Sequence, residues 1–195
     1  MENTKYYKQR ENSRDENYIK DSASSRVVVI LTNKCNLKCY FCFQDRKSLP
    51  NSMSSEDWMN FIDTLENNSH ITITGGEPLL FKDFEKIFLH ASKRHSINII
   101  CNGTFLSKNF ADLFLSTKNF MALSISVDTV GNLNRDVKPE QYKKMKEALG
   151  YFSQLRNKLN HNAVIDTKST VIDETAKDLF EIYIHCKEDL KLPLL

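Results

Sequence analysis

From Arg26 onward the apolar residues follow two alternating rhythms. Short β-branched runs alternate with longer stretches in which large apolar side chains recur every three or four positions, the signatures of strands and of amphipathic helices. Val27–Thr32 is a continuous hydrophobic run that predicts a strand buried on both faces. Ser54–Glu66 predicts a helix: Ser54 or Ser55 can cap it, Glu56 and Asp57 suit its positive end, and Trp58, Phe61, Ile62 and Leu65 share a face. Ile71–Thr74 is a short strand that ends at Gly75-Gly76, and Phe84, Ile87, Phe88 and Ala91 form the next helical stripe. Ile97–Cys101 predicts a strand, Lys108–Ser116 a helix, and Met121–Val127 a strand ending at Asp128. Tyr142, Met145, Leu149 and Phe152 mark a long helix weakened near Gly150. Val164–Ile172 contains a polar strand, and Leu179, Ile182, Tyr183 and Cys186 mark a last helix.

Five strand–helix units in alternation predict an α/β fold with a parallel sheet and right-handed crossovers. An open doubly wound sheet and part of a (β/α) barrel both satisfy this pattern. Both put their chemistry at the C-terminal ends of the strands. Residues 1–25 are polar, with Tyr6, Tyr7, Tyr18 and Ile19 as their large apolar groups, and read as a flexible arm with a docking turn near Tyr18-Ile19.

Composition changes this picture little. The 195 residues carry a net charge of +2, with 41% hydrophobic and 27% charged residues, an ordinary globular balance. A chain of this size buries roughly 70% of its unfolded surface, enough for one core without staples. The near-neutral charge gives no case for nucleic acid or an acidic membrane. No signal peptide and no run of about 20 apolar residues is present. The expected compartment is a reducing cytoplasm, where clustered cysteines read as metal ligands rather than disulfides.

Three of the five cysteines, Cys35, Cys39 and Cys42, follow the first strand at C-x3-C-x2-C spacing. A structural zinc site takes four ligands, and no fourth Cys or His lies in this loop. Three thiolates can hold three irons of a [4Fe–4S] cube and leave the fourth iron open. Cys101 and Cys186 sit in apolar stretches and read as ordinary buried thiols. One βα unit later, Gly75-Gly76-Glu77-Pro78 closes the second strand. Its glycines would let backbone approach a ligand closely, and Pro78 would hold Glu77 extended.

The cysteine spacing and this Gly-Gly-Glu-Pro turn together resemble the radical S-adenosylmethionine (radical SAM) superfamily, over about Arg26 to Glu188. The resemblance implies a partial (β/α) barrel of about five to six units. It implies a [4Fe–4S] cluster on Cys35, Cys39 and Cys42 whose open iron binds S-adenosylmethionine. Reductive cleavage of that cofactor then gives an adenosyl radical that abstracts hydrogen from a substrate. Phe41 fills the aromatic place near the adenine, and Gly75, Gly76, Glu77 and Pro78 hold the methionine end, with Glu77 as the anionic partner of its amino group. Asn102-Gly103 matches the family's Asn-Gly after the third strand. Ser126, then Asp128, at the end of Ser124-Ile-Ser-Val-Asp128, are the candidates for further cofactor contacts. Arg135, Lys168 and Ser169 are weaker candidates that also read as solvated or packing residues. The five histidines read as surface or strand-edge groups.

The resemblance also implies an external electron donor such as a flavodoxin or ferredoxin, and the chain leans toward the peptide- and protein-modifying branch. A complete (β/α)8 barrel takes ~250 residues. The family core has six units, and a sixth strand here would begin within Leu190–Leu195. The expectation is therefore an arm over 1–25 and a core over 26–195, either a small complete activase-like enzyme whose open side a partner protein closes or a piece truncated at its C-terminal side, without the cysteine-rich domain many peptide-modifying relatives carry. A truncated or non-catalytic binding protein of the same ancestry is the alternative.

Overall fold

In a computed structural model, which describes residues 25–44, 53–128 and 137–194, the predicted alternation becomes one five-stranded parallel sheet. The strands are β1 (Arg26–Ile30), β2 (His70–Thr74), β3 (Ser96–Cys101), β4 (Phe120–Ser126) and β5 (Val164–Lys168), in the order β1-β2-β3-β4-β5. That order decides between the two architectures. A doubly wound sheet reverses its strand order, whereas strands added always on the same side, with right-handed crossovers, put every helix on one face. The molecule is thus a segment of a barrel. The crossovers carry α1 (Ser55–Asp63), α2 (Phe84–Ala91), α3 (Lys108–Leu115) and α4 (Pro139–Leu159), and α5 (Asp173–Ala176) and α6 (Leu179–Ile184) follow β5.

Local chemistry sets the element ends. Ser54 caps α1 in a reciprocal box: its hydroxyl accepts the Asp57 N–H at 3.1 Å, and its own N–H donates to the Asp57 carboxylate at 3.2 Å. The sequence reading carried this helix to Glu66; it stops at Asp63, with Thr64 at its C-cap.

One sheet face is apolar and covered. Val29, Ile71, Ile73, Ile97, Ile99, Leu123 and Ile125 are buried in one core with Ile62, Phe88, Phe114 and Phe152 of the helices. Phe114 centres an aromatic group, with ring centroids 5.0 Å from Phe120 and 5.2 Å from Phe88. The opposite face carries Thr72, Thr74, Asn98, Ser124, Ser126 and Lys168. This corrects the reading of the first strand as buried on both sides. Among the described residues β1 is an edge strand, and Val28 and Ile30 on the open face are 60% and 43% exposed.

Beyond β5, α6 runs into a π-helical turn (His185–Asp189), and the chain then returns to the free edge of β5. Thr167 donates its N–H to Pro193 O at 2.8 Å and forms a parallel bridge with Leu194, so the residues expected to start a sixth strand do lie along β5. A polar cluster ties this end to α4: the Tyr142 hydroxyl meets His185 Nε2 at 2.7 Å and donates to Asp189 at 3.0 Å, and Lys146 pairs with Asp189.

The sequence reads the histidines as surface or strand-edge groups; His95, immediately before β3, and His185, in the turn after α6, are only 1% and 9% exposed. Burial holds both imidazoles below their ordinary value of 6.5, with Arg94 adding to the effect at His95, while Asp189 partly offsets it at His185. The unfolded chain therefore binds more protons as pH falls below about 6.5. Stability is expected to be full above that pH and to decline as pH drops through the lowered folded values. Thermal midpoints from pH 7.5 to 5.0 check this, and a His95→Gln chain should show a shallower decline. A flat profile for the unsubstituted chain would contradict it.

Candidate functional site

The cysteine loop begins where β1 stops. Leu31 and Leu37, 0% and 2% exposed, anchor its two ends, and Cys35, Cys39 and Cys42 lie half-buried between and beyond them. Cys42 N donates to Cys39 O at 3.1 Å, a tight turn that brings the second and third cysteines together. All five cysteines are thiols, and no three His, Cys, Asp or Glu side chains among the described residues converge on one metal-ion position. The loop nevertheless suits a cluster. Its donors are three soft thiols with no carboxylate among them, and the irons of a cube take their ligands at separate corners. Phe41 is half-buried in the same turn, edge-on to Tyr40 at 5.2 Å between ring centroids.

The Gly-Gly-Glu-Pro turn is zipped to this loop. The parallel pairing of β1 and β2 runs on past the strand ends through Leu31 N to Thr74 O at 2.9 Å, Gly76 N to Thr32 O at 2.7 Å and Glu77 N to Lys34 O at 2.8 Å. The glycines have a purpose here that the sequence did not reveal. A Cβ on Gly75, whose φ is +144°, would stand 2.5 Å from Thr32 O, and one on Gly76 would stand 2.3 Å from Lys34 O. Their first close neighbour is the cysteine loop itself. Pro78 opens a 3-10 turn (Pro78–Leu80), and Glu77 before it is extended at φ −127° and ψ 107°, as Pro78 requires.

Glu77 takes backbone donors from two segments of the chain. It is 0% exposed. Its Oε1 accepts the Leu79 N–H at 3.0 Å and its Oε2 accepts the Asn102 N–H at 2.7 Å. The carboxylate thus clamps the end of β3 to the turn after β2. Glu77→Gln puts an amide N–H₂ against one of these N–H donors and leaves a buried donor unmet. The expected cost is about 2 kcal/mol, read as a lower urea midpoint at unchanged slope. An unchanged midpoint would remove the clamp.

Asn102 meets the cysteine loop. It is 7% exposed, and its carboxamide turns toward the cysteine loop, with Nδ2 3.0 Å from Asn36 Oδ1 and 3.7 Å from Cys35 Sγ. Asn36 and Thr104, which complete this network, were missed in the sequence because nothing in their spacing distinguishes them from loop residues. Cys101, just before Asn102, is an inert thiol as expected: burial, then the Glu77 carboxylate, pushes it well above its usual range.

At β4 the two candidates have different surroundings. Ser126 is half-buried on the open face, in register with Lys168 of β5. Asp128 is 1% exposed and its Oδ1 accepts the Thr170 N–H, so it joins the exits of β4 and β5. Lys168 Nζ lies 3.8 Å from Asp166 on the same face. Arg135 and the Tyr18-Ile19 turn lie outside the described residues.

Comparison with known proteins bears on this assembly directly. The profile of the Radical SAM superfamily matches residues 29–183. Sporulation killing factor maturation protein SkfB of Bacillus subtilis is 28% identical over 160 residues, 80% of this chain but 38% of that protein. GTP 3',8-cyclase of Desulforamulus reducens is 30% identical over 132 residues, 62% of this chain and 40% of that one. Among solved structures, Streptococcus suis SuiB bound to S-adenosylmethionine superposes with a TM-score of 0.64 at 19% identity, over 87% of this chain and 39% of SuiB. The enzyme anSMEcpe with bound AdoMet gives 0.63 at 23% identity, over 87% of this chain and 50% of its own. The chain thus spans half or less of the length of these relatives. The superfamily uses a [4Fe–4S] cluster and S-adenosylmethionine. With its profile matched across the sheet and both site loops, this chain belongs to the radical SAM superfamily.

Proposed function

We propose that the chain holds a [4Fe–4S] cluster on Cys35, Cys39 and Cys42, binds S-adenosylmethionine beside the Gly75–Pro78 turn, and works as a radical enzyme on a peptide or protein. The observation that carries this reading is the hydrogen-bonded seam between the two motif loops, Gly76 N to Thr32 O at 2.7 Å and Glu77 N to Lys34 O at 2.8 Å. It sets the three thiols and the glycine turn side by side on the strand-end edge where such folds keep their chemistry.

When bound, the cluster and S-adenosylmethionine supply one-electron reductive cleavage and a hydrogen-abstracting adenosyl radical. The residues of the chain ligate, orient and shield. The three thiolates take iron. The half-exposed backbone of Gly75 and Gly76, rather than the buried Glu77 carboxylate, is the surface offered to the methionine end. Phe41 offers an apolar ring for the adenine, and Ser126 a hydroxyl at the end of β4. The core spans 26–195.

A peptide substrate is supported by the similarity to SkfB, a maturation protein matched over 80% of this chain, and to AlbA, a bacteriocin biosynthesis protein of Bacillus subtilis matched over 52%. SuiB, the structural neighbour, has also been solved with its precursor peptide SuiA. The proposed electron source is an external donor of flavodoxin or ferredoxin type, in a reducing cytoplasm. Neither nucleic acid nor membrane enters the proposal. No helix among the described residues is long and apolar enough to cross a membrane.

The test is anaerobic reconstitution of the full 195-residue chain with iron and sulfide, then reduction in the presence of S-adenosylmethionine. The expected result is on the order of four irons per chain and release of 5′-deoxyadenosine. Absence of iron uptake would sink the cluster assignment. Uptake without cofactor cleavage would sink the catalytic part.

A further inference from the structure

We propose that Asn102 is a positioning residue for the cluster, its carboxamide donating a hydrogen bond to the Cys35 thiolate and thereby setting how readily the cluster accepts an electron. The proposal rests on the cluster reading above.

The orientation of the carboxamide follows from its partners. A backbone N–H can only donate, and that of Thr104 reaches Asn102 Oδ1 at 2.9 Å. The oxygen is pinned there, and the Thr104 hydroxyl donates to it as well at 2.6 Å. The nitrogen must then face the other way, toward Asn36 Oδ1 at 3.0 Å and Cys35 Sγ at 3.7 Å. Asn36 is held by the same logic, since its Nδ2 donates to Thr104 Oγ1 at 3.0 Å and turns its oxygen toward Asn102. The three side chains close a ring that aims one N–H of Asn102 at sulfur.

The main chain holds that aim. Asn102 N donates to the buried Glu77 carboxylate at 2.7 Å, and Gly103 leaves at φ +78°, a turn that a side chain would resist. Asn102 is 7% exposed, so water competes little for its amide. Cys35 Sγ also receives the Leu37 N–H at 3.4 Å. That donor is main chain and survives any substitution, which makes Asn102 the adjustable one. Hydrogen bonds to cluster sulfurs favour the more negative, reduced state and raise the reduction potential.

The experiment uses the reconstituted full chain without S-adenosylmethionine. It compares the unsubstituted protein with Asn102→Asp, Asn102→Ala and Thr104→Val. Asn102→Asp keeps the shape and the acceptor for Thr104 but sets a carboxylate in place of the donor. The expected result is a more negative midpoint potential in all three, furthest in Asn102→Asp and least in Thr104→Val. Altered g-values of the reduced cluster and about tenfold faster iron loss to a chelator should accompany the Asn102 substitutions. Thr104 is half-exposed, so Thr104→Val carries the test should Asn102→Ala not fold. Midpoints and spectra identical to the unsubstituted protein would overturn the inference while leaving the cluster in place. Failure of the unsubstituted chain to take up iron would instead overturn the function on which it rests.

Discussion

Cys42→Ala is expected to take up no [4Fe–4S] cluster while keeping its fold. Two thiolates would remain, too few to hold three corners of a cube. Cys42 is only half-buried, in a loop turn closed by its own backbone N–H on Cys39 O at 3.1 Å, and that bond survives the substitution. Thermal midpoint and far-UV circular dichroism should therefore stay near those of the unsubstituted chain. Iron content and cluster absorbance after anaerobic reconstitution should fall to background, and 5′-deoxyadenosine release with them. Cys101→Ala and Cys186→Ala provide the contrast. Both thiols are buried, at 2% and 0% exposure, and burial pushes both above their ordinary range, so neither is poised to ligate iron. These two chains should keep their clusters. Iron uptake by Cys42→Ala equal to that of the unsubstituted chain would remove the loop as the cluster site.

Gly76→Ala is expected to have the largest effect on the scaffold of the site. The new Cβ would lie 2.3 Å from Lys34 O, 2.7 Å from Lys34 C and 2.9 Å from Asn33 O. These are backbone atoms, so no flexible side chain can swing away. The two loops must separate, and the bonds from Gly76 N to Thr32 O and from Glu77 N to Lys34 O are lost together. A cost of about 3 kcal/mol is expected, a fall in thermal midpoint on the order of 10 °C, together with poor cluster loading. The other glycines grade the response. At Gly103 the nearest atom to a Cβ is Met145 Sδ at 2.6 Å, the far end of a flexible side chain, although the φ of +78° still costs. At Gly150, within α4, nothing lies within 4 Å of the new carbon, so Gly150→Ala should stabilise by about 0.5–1 kcal/mol. A Gly76→Ala chain as stable as the Gly150→Ala chain would show that the seam does not hold the site together.

Much of this was legible along the chain because the signals are local. The period-two and period-3.6 apolar patterns located all five strands and the four crossover helices to within a few residues. The Ser54 cap was legible because capping depends on residues three apart. The cysteine spacing and the Gly-Gly-Glu-Pro turn were legible because each lies within one short segment.

What a short segment does not show is a partner distant in sequence. Val28 and Ile30 look like core residues in a β-branched run, but they lie on the open face of β1, 60% and 43% exposed. Glu77 has the composition of a ligand-binding acid, and Asn102, 25 residues away, takes its carboxylate. Asp128 reads the same way, and Thr170 takes it across 42 residues. His185 seemed a surface group until Tyr142, 43 residues earlier, was placed against it.

The sequence by itself determined the alternation of elements, the three-thiol loop and the glycine turn one unit later, since spacing within a segment is a covalent property. Only the tertiary structure decided that the sheet is a barrel segment, because strand order depends on which edges meet. It alone decided that the glycines make room for the cysteine loop and that Glu77 clamps backbone. It alone turned Asn102 toward Cys35. Each of these is set by contacts between residues far apart along the chain, and such contacts exist only once the packed core fixes where the strand ends lie.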